Sequence, residues 1–386
     1  MNSLGFASIS KIDYWETQRK GANFFNQNPS SEWFTDAKRI GIQFARLAPD
    51  KWKCEERDFL IGNADKFTSI NEQDFKMLKS VLDDALSNDV KIVVTLLSLP
   101  GSRWAQNNQA EDDLRIWKEE KYRQQAIEFW TSLAELLKDH QAVVGYNILN
   151  EPHPEKLFGH EDFSQIDFQK WHSSIKETLA DLNLFYRDLV EAIRQVDRAT
   201  PIILDTGMYA TPWAISYLTP IEDEKVLYSF HMYEPYSYTT RKINKGRFSY
   251  PGIIPISIGN SETNLPPVPN FFNWEYETLN LFLKPIVEWQ EKHQIPSRQI
   301  LVGEFGCDRA SKGAQNYLSD LIQIFDNYGW HWAFYSFRED CWDRMDYELG
   351  TCNLPIEYWE AAERNASLGP FRHDNALFDV IKDKLN

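Results

Sequence analysis

Two strings in the chain place a carboxylate directly behind an apolar run. AVVGYNIL (142–149) ends in Asn150, Glu151, Pro152 and His153, and QILVGEF (299–305) carries Glu304 next to its end. Other apolar runs end in the same way: IQFARL holds Arg46, LPGSRW ends in Trp104, PIILD ends in Asp205, VLYSF leads into His231 and Tyr233, and WAFYSF contains Tyr335. Two carboxylates flanking one bond are the equipment for cleaving a glycosidic linkage. One, as the acid, protonates the leaving oxygen; the other, ionised, stabilises or attacks the anomeric carbon. These tasks need opposite protonation states, so the neighbours of the two groups must push their pKa values apart. Arg46 is a cation suited to keeping one of them ionised, and a rim of neutral hydrogen-bonding groups leaves the other protonated.

Such groups meet only if the elements that carry them end on one rim. Eight short apolar runs read as strands: 21–26, 42–47, 91–99, 142–149, 201–205, 226–230, 299–305 and 332–337. Amphipathic helical patterns alternate with them, at about 30–40, 70–90, 120–140, 175–197, 273–293 and 313–329, and each strand is expected to be followed by a helical segment. Continuous apolar strands between helices imply a parallel sheet covered on both faces. Eight such units imply a closed (β/α)8 TIM barrel with long βα loops, read as a single catalytic domain over 1–386: a barrel core of about 20–337 with a C-terminal extension packed on it. A doubly wound open sheet is the runner-up, but its Gly-rich phosphate turn is missing, with neither GxGxxG nor GxxxxGK[ST] in the chain. In a barrel the site lies at the C-terminal ends of the strands, where the fourth and seventh strands face each other across the mouth. The stretch 234–270, rich in Pro, Gly, Ser and Tyr, is expected to lie over that mouth.

Composition narrows the partner. A net charge of −16 in 386 residues repels a polyanion, and the short cluster Lys242, Lys245, Arg247 does not make a nucleic-acid surface. A neutral substrate fits better. Aromatics at 14% offer flat faces for stacking on sugars, though a large core explains the same figure. No apolar run approaches the length of a membrane span. The start MNSLGFASISKIDYW lacks the pattern of a signal peptide, which leaves open a cytoplasmic protein or a secreted one whose signal is absent. The four cysteines, Cys54, Cys307, Cys341 and Cys352, have no metal-ligand spacing, and Cys341 and Cys352 either pair across a loop or stay as thiols. No GxSxG elbow or HExxH helix occurs, which disfavours serine-hydrolase and zinc-hydrolase chemistry. A monomer is the default expectation.

NEP at 150–152, GEFG at 303–306, ARL around Arg46 and SFHMYEP at 229–235, taken in this order and each at a strand end, resemble glycoside hydrolase family 5, the cellulase A family of clan GH-A. The resemblance runs from about 20 to 337. It implies Glu151 as general acid/base, Glu304 as nucleophile, Asn150 as the amide that contacts the sugar 2-hydroxyl, and Arg46 as the group that holds the nucleophile ionised. It further implies Tyr233 hydrogen-bonded to the nucleophile, His231 beside the acid/base, a retaining mechanism, and no metal or organic cofactor. Two departures stand out. Leu97 occupies the place where many members have a histidine, and Tyr335 or Phe334 takes the place of a tryptophan floor. Both leave the substrate open among β-linked glucans, mannans and related glycosides. Trp52, Trp104, Trp213 and Trp342 are candidate sugar platforms. A transglycosylase with the same residues and a non-catalytic carbohydrate-binding barrel are the competing readings.

Overall fold

A strand with no polar alternation must be buried on both faces, and all eight apolar runs become parallel strands of one closed barrel. They are β1 Lys20–Phe24, β2 Phe44–Leu47, β3 Lys91–Thr95, β4 Val143–Asn147, β5 Ile202–Asp205, β6 Val226–Met232, β7 Ile300–Phe305 and β8 His331–Phe334. Neighbours in the chain pair in order, and β8 closes on β1 through Lys20 opposite Trp332. The computed structural model describes residues 10–52, 54, 58–159, 168–256, 271–339, 344–364 and 366–385. The apolar runs outlast the strands: Leu96 and Leu97 after β3, and Ile148 and Leu149 after β4, are buried in the barrel wall but no longer extended as strand.

Most connecting helices fall where the periodicity puts them. Ser31–Arg39, Glu72–Ser87 and Glu120–Leu137 follow the first three strands, and Ala314–Tyr328 follows β7. Asn71 caps the second of these, its side chain accepting from the N–H groups of Gln73 and Asp74. The pattern at 175–197 is two helices, Phe168–Ile175 and Leu182–Val196. Asp181 separates them, because its carboxylate takes the backbone N–H of both Glu177 and Asn183. No long helix follows β5. Pro212 and Pro220 interrupt that connection, which forms only the short turn Gly207–Ala210 and the 3-10 turn Pro212–Tyr217, and Trp289 from Lys284–His293 covers the gap by donating to the carbonyl of Leu218 at 2.9 Å. After β6, the described part of 234–270 folds into two short helical turns and the strand Gly252–Pro255, paired with Phe271–Trp274; 257–270 lie outside the described residues. The C-terminal helix Ala376–Leu385 packs on Ala314–Tyr328. Among the described residues no helix is long and apolar enough to cross a membrane. Cys307 is buried and Cys352 exposed, while Cys341 lies outside the described residues, and with it any pairing of the two.

Inside the barrel, the inward positions are apolar at the bottom and polar at the top. Phe44, Val93, Val144, Ile203, Leu227, Leu301 and Ala333 form the lower layer, and Trp15, from the turn before β1, plugs it from below with Nε1 on the carbonyl of Val144 at 2.9 Å. Further along the strands the inward residues become Asn23, Arg46, Thr95, Asn147, Asp205 and Ser229, all fully buried. The β6–β7 pairing slips by one residue, from Phe230 opposite Val302 to His231 opposite Glu304. Gly303 is the residue passed over. A Cβ there would lie 2.6 Å from Ser229 Oγ and 3.0 Å from His231 Nε2, so the bulge that aligns His231 with Glu304 needs glycine.

Trp15→Ala is expected to cost about 3–5 kcal/mol through loss of the barrel plug. Chemical denaturation measures this loss, and the folded variant is expected to keep its turnover rate within about twofold.

Candidate active site

Arg46 stands at the centre of the polar layer. Its Nη1 donates to Asn23 Oδ1 at 2.7 Å, to Glu304 Oε1 at 2.8 Å and to the carbonyl of Gly303 at 3.2 Å. Its Nη2 donates to Asn147 Oδ1 at 2.7 Å and to Asn150 Oδ1 at 2.9 Å, and lies 3.7 Å from Asp205 Oδ2. Glu304 is buried at the end of β7, and its other oxygen accepts the hydroxyl of Tyr233 at 2.8 Å. Burial, and next to it the charge of Glu304, hold the Tyr233 phenol well above its usual range, so it is a neutral donor. Both oxygens of Glu304 therefore accept hydrogen bonds, an arrangement that stabilises negative charge on this carboxylate.

Glu151 has the opposite surroundings. It follows β4 with φ of +50°, a left-handed conformation that costs a non-glycine residue about 1–2 kcal/mol. Its N–H donates to Asp205 Oδ2 at 3.2 Å, its carbonyl lies 2.7 Å from His153 Nδ1, and its Oε1 lies 2.8 Å from His231 Nδ1. Burial first, and the charge of Asp205 second, push the carboxyl of Glu151 up to about 8, against a smaller opposing pull from Arg46. The side chain still keeps 30% of its surface open to the cleft, so water tempers this rise until a ligand fills the space. Burial also lowers the pKa of His231, so the ring is neutral and bonds Glu151 without supplying a charge. An oxygen of Glu151, an oxygen of Glu304 and a ring nitrogen of His231 all lie within 4.8 Å of one another. They open into a cavity of about 490 Å³.

Comparison with known proteins identifies the family. The family model described as Cellulase (glycosyl hydrolase family 5) matches residues 10–340. The chain belongs to this family. Endoglucanase C of Acetivibrio thermocellus is 20% identical over 308 residues, which cover 75% of this chain and 79% of the relative. Among solved structures, endoglucanase Cel5A of Thermotoga maritima superposes with a TM-score of 0.60 at 18% identity, over 85% of this chain and 93% of its own. Pseudomonas stutzeri endoglucanase Cel5A gives a TM-score of 0.60 at 16% identity, over 95% and 94%. The protein is thus a glycoside hydrolase on a family 5 barrel.

On this barrel Arg46, Trp104, Asn150, Glu151, His231, Tyr233, Glu304 and Tyr335 come to one rim, and all but Arg46, which lies beneath the others, line the cavity. Of the two residues expected as a floor, Tyr335 and not Phe334 reaches the cavity. Phe334 is fully buried in the core, whereas Tyr335 lines the cavity, sets its ring edge-on to Phe25 and donates to Glu339 Oε2 at 2.6 Å. Leu97 lines the cavity as well, and only its backbone is engaged in polar contact, N–H to Asp50 Oδ2 at 3.2 Å. Of the proposed platforms, Trp104 is half-buried in the cavity wall, 5.3 Å from Lys51 Nζ. Trp52 is instead buried, with Nε1 on the carbonyl of Asn26, and Trp213 packs on Phe168; neither lines the cavity. Trp342 lies outside the described residues. His153 braces the loop after β4 and stacks on Tyr209, with ring centres 4.5 Å apart. Asn23 and Asn147, which hold Arg46, belong to no motif of the sequence. Their signal is a polar residue at an inward position of an otherwise apolar strand.

If Glu151 works as an acid, kcat/KM is expected to fall as pH rises past neutrality toward about 8, when this carboxyl loses its proton. A pH–rate profile checks this; an alkaline limb near 4.5, the ordinary value for a glutamate, contradicts the environment described.

Proposed function

We propose that the protein is a retaining β-glycoside hydrolase acting on a β-linked glucan, mannan or related glycoside. One observation carries this reading: two carboxylates approach within 4.8 Å, one held by hydrogen-bond donors and a guanidinium, the other desolvated beside a neutral imidazole. So close an approach of their oxygens supports the retaining arrangement, ~5–5.5 Å between carboxyl groups, over the ~6.5–9.5 Å of an inverting pair.

Glu304, ionised, attacks the anomeric carbon as the bond to the leaving oxygen breaks, and Glu151 gives that oxygen its proton. The transition state has oxocarbenium character, and the product of this step is an ester between the sugar and Glu304. Glu151, now a carboxylate, takes a proton from water; the water oxygen bonds the anomeric carbon, and Glu304 leaves. Asn150 spends its Oδ1 on Arg46, which presents its Nδ2 donors to the sugar 2-hydroxyl, where a hydrogen bond strengthens in the transition state. Trp104 and Tyr335 offer ring faces to the apolar side of the sugars. The substrate class is supported by relatives: endoglucanases are among the similar proteins, and Thermotoga maritima Cel5A has been crystallised with mannotriose as substrate and with cellobiose.

A polysaccharide and aryl-glycoside screen with product sizing identifies the substrate, and products longer than the substrate would reveal transfer to sugar instead of water. Proton NMR during early turnover is expected to show the β-anomer first; an initial α-anomer excludes retention. Glu304→Gln is expected to fold and to lose activity by at least about 10³-fold, and wild-type rates in this variant rule out the nucleophile assignment.

A further inference from the structure

Asp205 is the best-connected carboxylate of the site that has no place in the reaction just described. It ends β5, is fully buried and does not line the cavity. Its Oδ1 accepts from Asn147 Nδ2 at 3.1 Å. Its Oδ2 accepts the N–H of Glu151 at 3.2 Å and lies 3.6 Å from His231 Nε2 and 3.7 Å from Arg46 Nη2. The carbonyl of the same residue accepts the hydroxyl of Tyr186 at 2.7 Å, which anchors the strand end. Asp205 thus reaches Glu151 by two routes. One is the backbone N–H, which holds the left-handed turn that points Glu151 into the cleft. The other is the imidazole: Nδ1 meets Glu151 Oε1 at 2.8 Å, while Nε2, which has no hydrogen-bond partner, faces Asp205.

We propose that Asp205 is a positioning residue of the reaction: a fixed negative charge beneath Glu151 that aims its backbone and retains its proton until the leaving oxygen takes it. The inference rests on the reading of Glu151 as general acid. The charged and titratable groups around Glu151 are few. Arg46 from β2 opposes the effect. Glu304 from β7 is paired with Arg46 and hydrogen-bonded by the neutral Tyr233. His231 from β6 is uncharged, and His153 touches only the backbone carbonyl. Burial raises the pKa of Glu151 most, and Asp205 is the charge that adds to it. With a neutral residue at 205, Arg46 acts on Glu151 without that counterweight, and the proton leaves at lower pH. A carboxylate that served only to brace β5 would affect folding and rate but would not move this titration.

The test is the pH dependence of kcat/KM for Asp205→Asn in the full chain, on the aryl β-glycoside that the wild type cleaves fastest. Asparagine keeps an oxygen for the Glu151 N–H and removes the charge. The alkaline limb is expected to move to lower pH by about one unit, the lower end of the range for a nearby charge. Asp205→Glu, which keeps the charge, is expected to hold the limb near its wild-type position even at a reduced rate. An unmoved limb in Asp205→Asn overturns the proposal; if that variant does not fold by circular dichroism, Asp205→Ser supplies the same reading. Glu151→Gln, assayed for its residual turnover of the same aryl β-glycoside, is the control. Loss of the alkaline limb there confirms Glu151 as the titrating group, so an unmoved limb in the 205 variants counts against Asp205 alone. Persistence of the limb instead overturns the assignment of the acid, and with it this inference.

Discussion

A buried guanidinium must be neutralised and hydrogen-bonded, because an unpaired charge away from water costs several kcal/mol. Arg46 has none of its surface exposed, and its partners come from β1, β4, the turn after β4, and β7. Holding its two terminal nitrogens fixes the heights of those strands relative to one another within hydrogen-bond tolerance. Asn23 and Asn147 do not line the cleft, but their side-chain oxygens hold Arg46 with Nη1 on Glu304 and Nη2 toward Asp205. The carboxylate expected to attack is therefore aimed by the same contacts that align the barrel.

The difference between the two carboxylates follows from where donors are available. Glu304 meets a cation and a phenol, so both oxygens are occupied by donors. Glu151 meets a neutral ring and a second carboxylate, so its charged form is disfavoured. Both environments rest on a polar layer stacked on an apolar one inside the barrel, with a one-residue slip at Gly303 to bring His231 level with Glu304.

Much of this was legible in the sequence. Unbroken apolar runs such as KIVVT and ILV have one stable home, a parallel sheet covered on both faces, and their spacing leaves a barrel as the natural closure. Glu151 and Glu304 were visible because polar residues at the ends of such runs stand out. Asn23 and Asn147 were hidden because a single amide inside a strand looks like noise until its inward direction is known, and direction depends on register. The Gly303 slip is likewise invisible in one dimension. Trp52 and Trp213 looked like sugar platforms from their place after strands. Trp52 turns inward and Trp213, still partly exposed, packs beside Phe168, and composition reports neither placement. The missing helix after β5 was readable in principle from Pro212 and Pro220, but the regularity of the other units masked it.

The pairing of Arg46 with Glu304 spans 258 residues of chain. During synthesis at about 5–20 residues per second, roughly 13 to 50 s separate the emergence of the arginine from that of its carboxylate. For that interval the cation cannot be buried at its final cost, and β1 has no β8 to close against. The nascent chain must keep its first strands hydrated or loosely covered until the last quarter arrives. The contact that sets the chemistry is thus also a clock for assembly, since a barrel that closed early around the wrong strand would trap a lone guanidinium and reopen.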